Sequence, residues 1–307
     1  MRILLVGGNG QVGTELRRSL APLGELVAAT RTGSLSDGGD CEVADLDQPG
    51  ALAALVERVA PDVVANAAAY TAVDRAEDEP GLAHRVNADA PAALAGACAR
   101  TGALLLHYST DYVFDGRGTR PYREDDPTDP VGVYGASKRA GELAVAASGC
   151  RHLVLRTAWV YAAHGHNFLR TMLRLGAERD ELRVVADQVG TPTPAALIAD
   201  ASAEMVERVA GGRGPQRGTW HLTAAGETSW HGFAEAIFDG AVARGLVARR
   251  PRVVPITTAD FPTRAVRPAY SVLDLAALRR DFDLSPPPWQ AGLAQVLDAL
   301  AEGRRGS

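Results

Sequence analysis

The chain has 307 residues, 46% of them hydrophobic, with charged residues at 22% and a formal charge of −5. That is enough apolar material for a large core in about one and a half to two domains. The near balance of charge, without a basic stripe, excludes nucleic acid as an expected partner, and no uninterrupted apolar run of about 18 residues offers a membrane span. Cys41, Cys98 and Cys150 show no CxxC spacing, which predicts small buried fillers in a reducing compartment. The apolar part of "MRILLVGGNG" is too short for a signal peptide, so a soluble, cytoplasmic protein with no membrane partner is expected.

In chain order, "RILLV" (2–6) reads as a strand leading into a helix from Gln11 to Leu23, and "ELVAAT" (25–30) as a second strand. A helix over 51–60, a buried strand over 62–68 and a helix over 89–102 ending in Gly102 follow. Next come the strand "ALLLHYS" (103–109), a Gly/Pro/Asp-rich loop to about 130, a helix over 134–148 and the strand "HLVLRT" (152–157). Strands spaced by helices predict an α/β fold with a doubly wound parallel sheet. After Trp159 the pattern is irregular: helices at 167–178 and 194–210, short strands at "LRVV" and "TWHLT", and Pro-rich segments at 251–268 and 285–288. This predicts a Rossmann-type dinucleotide-binding domain over 1–158, with returning elements near 185–225, and a smaller interleaved lobe over 159–307. The tail "GRRGS" is expected to fray.

Three stretches carry chemistry. "VGGNGQVG" (6–13) joins the first strand to the first helix and fits GxGxxG through Gly8, Gly10 and Gly13, or GxxGxxG through Gly7, Gly10 and Gly13. Either spacing lets backbone approach a pyrophosphate seated on helix N–H groups. An acid is expected at the end of the second strand for an NAD ribose. Ala29-Thr30-Arg31-Thr32 stands there instead, and Arg31 favours the 2′-phosphate of NADPH, with NADH still open. The second stretch, "STDY" (109–112), ends an apolar strand in polar groups, either to start a loop or to form a reactive edge. The third, "VYGASKRAGE" (133–142), puts Tyr134 and Lys138 four apart on one helical face. There a lysine ammonium eases proton donation by the phenol, and the hydroxyl of Thr110 makes the edge reading the stronger one.

These marks resemble an extended short-chain dehydrogenase/reductase of the sugar-nucleotide type. "NAAAYTAVDRAEDEP", "HYSTDYVFDG", "VYGASKRAGE", "LRTAWVY", "NFLRTMLRL", "DQVGTPT" and "RPAYSVLD" narrow the resemblance to the dTDP-4-dehydrorhamnose reductase family along nearly the whole chain. The resemblance implies reduction of the 4-keto group of a dTDP-4-dehydro-6-deoxy-L-hexose with NAD(P)H, with Thr110, Tyr134 and Lys138 catalytic. It implies dinucleotide contacts at Gly7, Gly10, Gln11, Val12 and Gly13, at Asp45 and Leu46 near the adenine, at Ala69, Tyr70 and Thr71 along the middle, and at Tyr134 and Lys138. Thr110, Asp111 and Trp159 would face the sugar, and the 159–307 lobe would bind the substrate.

Each residue also has a plainer reading: Trp159 as core, Asp111 as a loop cap, Asp45 as a turn residue, and Asn87 as a backbone holder. Arg264 and Arg267 are read either as diphosphate ligands or as surface ion pairs. His164 and His166 lack a third ligand nearby and read as a loop, so no metal site is expected; Mg²⁺ enters by family resemblance alone, and a homodimer is possible. Alternatives are a reductase of a related dTDP-4-keto-6-deoxy sugar, a sugar-nucleotide epimerase, or a non-catalytic regulatory subunit. The epimerase would favour an acid where Thr30-Arg31 stands, and the regulatory subunit would have lost Thr110, Tyr134 or Lys138.

Overall fold

The computed structural model describes residues 1–305. In chain order, β1 (Arg2–Val6), α1 (Gln11–Leu20), β2 (Glu25–Thr30), β3 (Glu42–Val43), α2 (Pro49–Val59) and β4 (Val63–Asn66) come first. Two short helices, α3 (Val73–Ala76) and α4 (Pro80–His84), and a π turn over Arg85–Asp89 lead to α5 (Ala90–Thr101). Then follow β5 (Leu104–Thr110), α6 (Val133–Ala147), β6 (Arg151–Thr157), β7 (Val160–Tyr161), α7 (Phe168–Glu178), β8 (Glu181–Val185), β9 (Val189–Gly190) and β10 (Thr193–Pro194). The last part holds α8 (Ala195–Ala210), β11 (Arg217–His221), β12 (Thr228–Ser229), α9 (Trp230–Ala243), β13 (Arg252–Ile256), α10 (Ala276–Phe282) and α11 (Trp289–Arg305).

Seven strands form one sheet in the order β11-β6-β5-β4-β1-β2-β3, all parallel. This is the doubly wound order, with its switch point between β1 and β4. The central strands are apolar runs because both sheet faces are covered. Alternate residues go to opposite sides: Leu104, Leu106 and Tyr108 pack with α1, α8 and α10, while Leu105 packs with α2, α5 and α6. A third cluster, around Phe233, Phe238 and Trp289, joins α7, α9 and α11 to β8 and β13.

The first-half strands and helices fall where the pattern puts them, and α5 ends on Gly102 at φ +79. The first helix is shorter than expected, closing at Leu20 before a 3₁₀ turn that holds Pro22. Helices α9, α10 and α11 and strand β13 do not stand out in the sequence. α9 carries Gly232 and Gly240, and β13 contains Pro255, which an edge strand tolerates because it pairs only with β8. Cys98 and Cys150 are buried, but Cys41 is only half-buried. The tail is helical as far as Arg305, and the last two residues of "GRRGS" lie outside the described ones.

Candidate active site

The glycine loop spans the switch point. Gly7 has φ +91, and a Cβ there would lie 2.7 Å from the Ala68 backbone nitrogen; a Cβ on Gly13 would lie 2.0 Å from the Gly7 carbonyl oxygen. A Cβ on Gly8 or on Gly10 would meet nothing closer than 3.4 Å, so the backbone demands glycine at 7 and 13. Gly10 is exposed and stands at the N-terminus of α1, where no side chain caps the helix. The first-turn N–H groups of Gln11, Val12 and Gly13 suit an anion there. Asn167 donates from Nδ2 to Gln11 Oε1 at 2.7 Å, drawing the 162–167 loop against this turn.

The other expected dinucleotide residues lie along the same edge. Arg31 is exposed just past β2, while the Thr30 hydroxyl turns inward to the Ser34 backbone. Asp45 accepts the Asp47 N–H at 3.1 Å as a turn residue does, and Leu46 is buried. Ala69, Tyr70 and Thr71 follow β4. Asn87 clasps the Tyr70 backbone, accepting its N–H at 2.9 Å and donating to its carbonyl at 3.0 Å, and the Tyr70 hydroxyl donates to Glu79 at 2.7 Å.

Two strands from the glycine loop, β5 ends in the buried residues Ser109 and Thr110, and buried Asp111 opens the 3₁₀ turn that follows. Thr110 Oγ1 donates to Asp111 Oδ1 at 2.9 Å and accepts the Tyr112 N–H at 3.2 Å, beside the Tyr134 phenol. Helix α6 can approach this closely because its glycines are tightly seated: a Cβ on Gly135 would lie 2.1 Å from the Tyr112 carbonyl oxygen, and one on Gly141 2.1 Å from that of Asn87. Lys138 is 2% exposed and donates from Nζ to the Tyr108 carbonyl at 2.6 Å. Burial lowers its pKa to about 8, so it remains largely an ammonium at neutral pH. Burial pushes the Tyr134 phenol upward, with Thr110 opposing. It also pushes Asp111 up to about 6, with the nearby Ser271 and Thr110 hydroxyls opposing.

Ser109 Oγ, Asp111 Oδ2 and Thr157 Oγ1, all at the ends of β5 and β6, are buried without a partner. Such atoms call for a ligand or water. His107, fully buried below them, receives the Asn66 side-chain amide at 3.1 Å and is held neutral by burial and by the charge of Lys138. One turn of α6 further on, Glu142 pairs with buried Arg156 through two 2.8 Å bonds.

Other expectations resolve differently. Arg264 pairs with Asp78 at 2.7 Å and Arg267 with Asp74 at 2.6 Å, which is the ion-pair alternative. His164 contacts Glu15 at 2.9 Å, His166 is exposed, and among the described residues no group of three or more His, Cys, Asp or Glu could hold a metal. Trp159 is half-buried and stacks on Trp230, with ring centroids 3.5 Å apart. Gly135, Gly141, Asn167, Gly190 and Trp230 shape the site without standing out in the sequence. Glycine inside a helical pattern was the one available signal, since it marks a close approach.

A nucleotide loop at the switch point, with a tyrosine and lysine on the helix after β5, makes the chain an oxidoreductase of the short-chain dehydrogenase/reductase class. The family described as RmlD substrate binding domain matches residues 1–302. The dTDP-4-dehydrorhamnose reductase of Burkholderia thailandensis is 52% identical over 98% of this chain and 100% of its own. Among solved structures, the Bacillus anthracis dTDP-4-dehydrorhamnose reductase in complex with NADP superposes with a TM-score of 0.86 at 33% identity, covering 97% of this chain and 99% of that one. The Clostridium acetobutylicum protein of the same name has a TM-score of 0.85 at 37% identity, with 98% and 99% covered. The chain belongs to the dTDP-4-dehydrorhamnose reductase family.

Proposed function

We propose that the protein reduces the 4-keto group of a dTDP-4-dehydro-6-deoxy-L-hexose, dTDP-4-dehydro-L-rhamnose before its relatives, with Tyr134 as proton donor. The observation that carries this reading is the cluster of buried Thr110, half-buried Tyr134 and buried Lys138 at the end of β5, in a chain half identical to a dTDP-4-dehydrorhamnose reductase. A dinucleotide fits the edge on which the cluster stands: Gly10 leaves the start of α1 open and uncapped, and Gly7 and Gly13 let the loop fold close beneath it. Gln11, Val12, Asp45, Leu46 and residues 69–71 would line it, and the exposed Arg31 just past β2 would meet a 2′-phosphate, which favours NADPH over NADH. When bound, the nicotinamide supplies the hydride for the carbonyl carbon.

The chain's own groups manage the proton. An alkoxide forming on the sugar is too basic to persist beside apolar walls and takes the proton of the Tyr134 phenol. Burial keeps that proton on the phenol until the alkoxide develops, and the Lys138 ammonium then stabilises the phenolate. Thr110 orients the phenol, and Asp111 and Trp159 border the space for the sugar. The three free cysteines suit a cytoplasmic setting, and among the described residues no helix is long and apolar enough to cross a membrane.

The test is steady-state NADPH oxidation with a dTDP-4-keto-6-deoxy sugar. Tyr134→Phe is expected to lower turnover by roughly 10²–10⁴, the usual share of general acid catalysis, with NADPH affinity kept. More than a tenth of wild-type turnover in that variant would remove the phenol from this role.

A further inference from the structure

Trp159 has a backbone that its local context does not explain. Its φ is +46°, in the left-handed region that bulky side chains avoid. The other described non-glycine residues with positive φ, Ala60 and Asp283, close α2 and α10 as C-caps, where that conformation is ordinary. Trp159 closes no helix; it lies between β6 and β7. A residue held this way persists only where its surroundings over-determine it.

Three contacts do so. The Trp159 carbonyl accepts the Thr193 N–H at 3.2 Å. Its indole lies flat on that of Trp230, at 3.5 Å and 6° between planes. Its edge lies so close to Gly190 that a Cβ there would be 2.5 Å from Cε2. Gly190 and Trp230 are themselves fixed by one small sheet, since β9 pairs with β12 through Thr228 opposite Gly190 and Trp230 opens α9 directly after its cap Ser229. Behind Trp230 come Phe168 at 4.7 Å and then Phe233, stacked on Phe168 at 5.6 Å and fully buried. A column of aromatic rings therefore runs from the third core cluster to Trp159.

The column ends at the site. Thr157 pairs in register with Thr110, so Trp159 stands two residues past the end of β6, beside the strand that carries Thr110. It remains half-buried, with one indole face taken by Trp230.

We propose that Trp230 and Gly190 are positioning residues, holding the Trp159 indole as a rigid apolar platform for the C–H face and 6-methyl group of the sugar. The "DQVGTPT" stretch then has a physical task, to seat that platform. The inference rests on the reading of the chain as a 4-keto-6-deoxy sugar reductase. A ring pre-set by a stack loses little freedom when a ligand meets it, so the gain belongs to binding and is read in KM.

The experiment measures KM and kcat for the dTDP-4-keto-6-deoxy sugar in wild type, Trp230→Ala, Trp230→Phe and Gly190→Ala, with NADPH affinity and circular dichroism as controls. Trp230→Ala is expected to raise KM about tenfold with kcat within about threefold and NADPH affinity unchanged, the pattern of lost uniform binding. Trp230→Phe keeps a stacking face and should hold KM within about threefold of wild type. If Trp230→Ala does not fold, Gly190→Ala, which displaces the indole edge, must raise KM in the same way. An unchanged KM in a folded Trp230→Ala or Gly190→Ala overturns the inference, as does a parallel fall in kcat and NADPH affinity, which would mark a merely structural role. Absence of wild-type turnover removes the functional reading and this inference with it; wild-type turnover with an insensitive KM removes this inference alone.

Discussion

Thr110 has a single hydroxyl proton and donates it to Asp111 Oδ1 at 2.9 Å, so it can meet the Tyr134 phenol only as an acceptor and has no proton left for a ketone oxygen. In the proposed mechanism Tyr134 is then the group that gives the proton. The arrangement carries a cost, because Asp111 is 2% exposed and its second oxygen has no partner. Its folded pKa is raised to about 6 from an ordinary 3.8. A carboxyl raised in this way imposes no penalty below pH 3.8, where both folded and unfolded chains hold the proton, and destabilises the fold increasingly as pH rises through about 6. Asp111→Asn is expected to stabilise the protein by about 1–3 kcal/mol at pH 8, with the gain gone at pH 4. Urea unfolding at the two pH values checks this; an equal effect at both would mean the carboxyl does not titrate across that window.

At the scale of an element, α6 decides the geometry of the chemistry. The pairing of Tyr134 with Lys138 was legible in the sequence because they share one helix face, and the period of the helix alone brings them together. What places that face against β5 was not legible, because it depends on atoms contributed from elsewhere. Gly135 lies under the Tyr112 carbonyl, and Gly141 under that of Asn87. Gly135→Ala must push the first turn of α6 away from the end of β5. The expected cost is roughly 1–3 kcal/mol of stability, as for overpacking. Turnover should fall by about 10²-fold, the effect of misplacing a reacting group by about 1 Å. Thermal unfolding and steady-state kinetics on one preparation separate the two effects, and normal turnover in a destabilised variant would contradict the account. The same reasoning explains why Trp230 went unnoticed: its partner Trp159 lies in a different segment, and neither sequence neighbourhood carries a trace of the stack.

For the whole molecule, β1, β2, β4, β5 and β6 could be read from alternating apolar runs and helices, since parallel strands need such crossovers, whereas the two-residue β3 could not. The return of the chain to the sheet could be read only roughly, because β11 is short and the helices after it carry glycines and follow prolines that break their pattern. That return matters for synthesis. The sheet face bearing Leu104, Leu106, Leu153 and Leu155 is covered by Ile198, Met205 and Val206 of α8, then by Trp220, Leu278 and Phe282. β6 also lacks its outer neighbour until Arg217–His221 arrive. A ribosome that has released only the first 158 residues therefore holds a sheet with one greasy side covered by α1 alone and an unpaired edge, the features that draw chaperones and aggregation. A fragment ending at residue 158 is expected to pellet when expressed alone, and arrested nascent chains should gain protease resistance only once α8 and β11 are free of the ribosome. A soluble, protease-resistant 1–158 fragment would contradict this. The segment after residue 158 thus acts as the completion signal for what precedes it, so translation must run well past β11 before the enzyme has a sheet to work from.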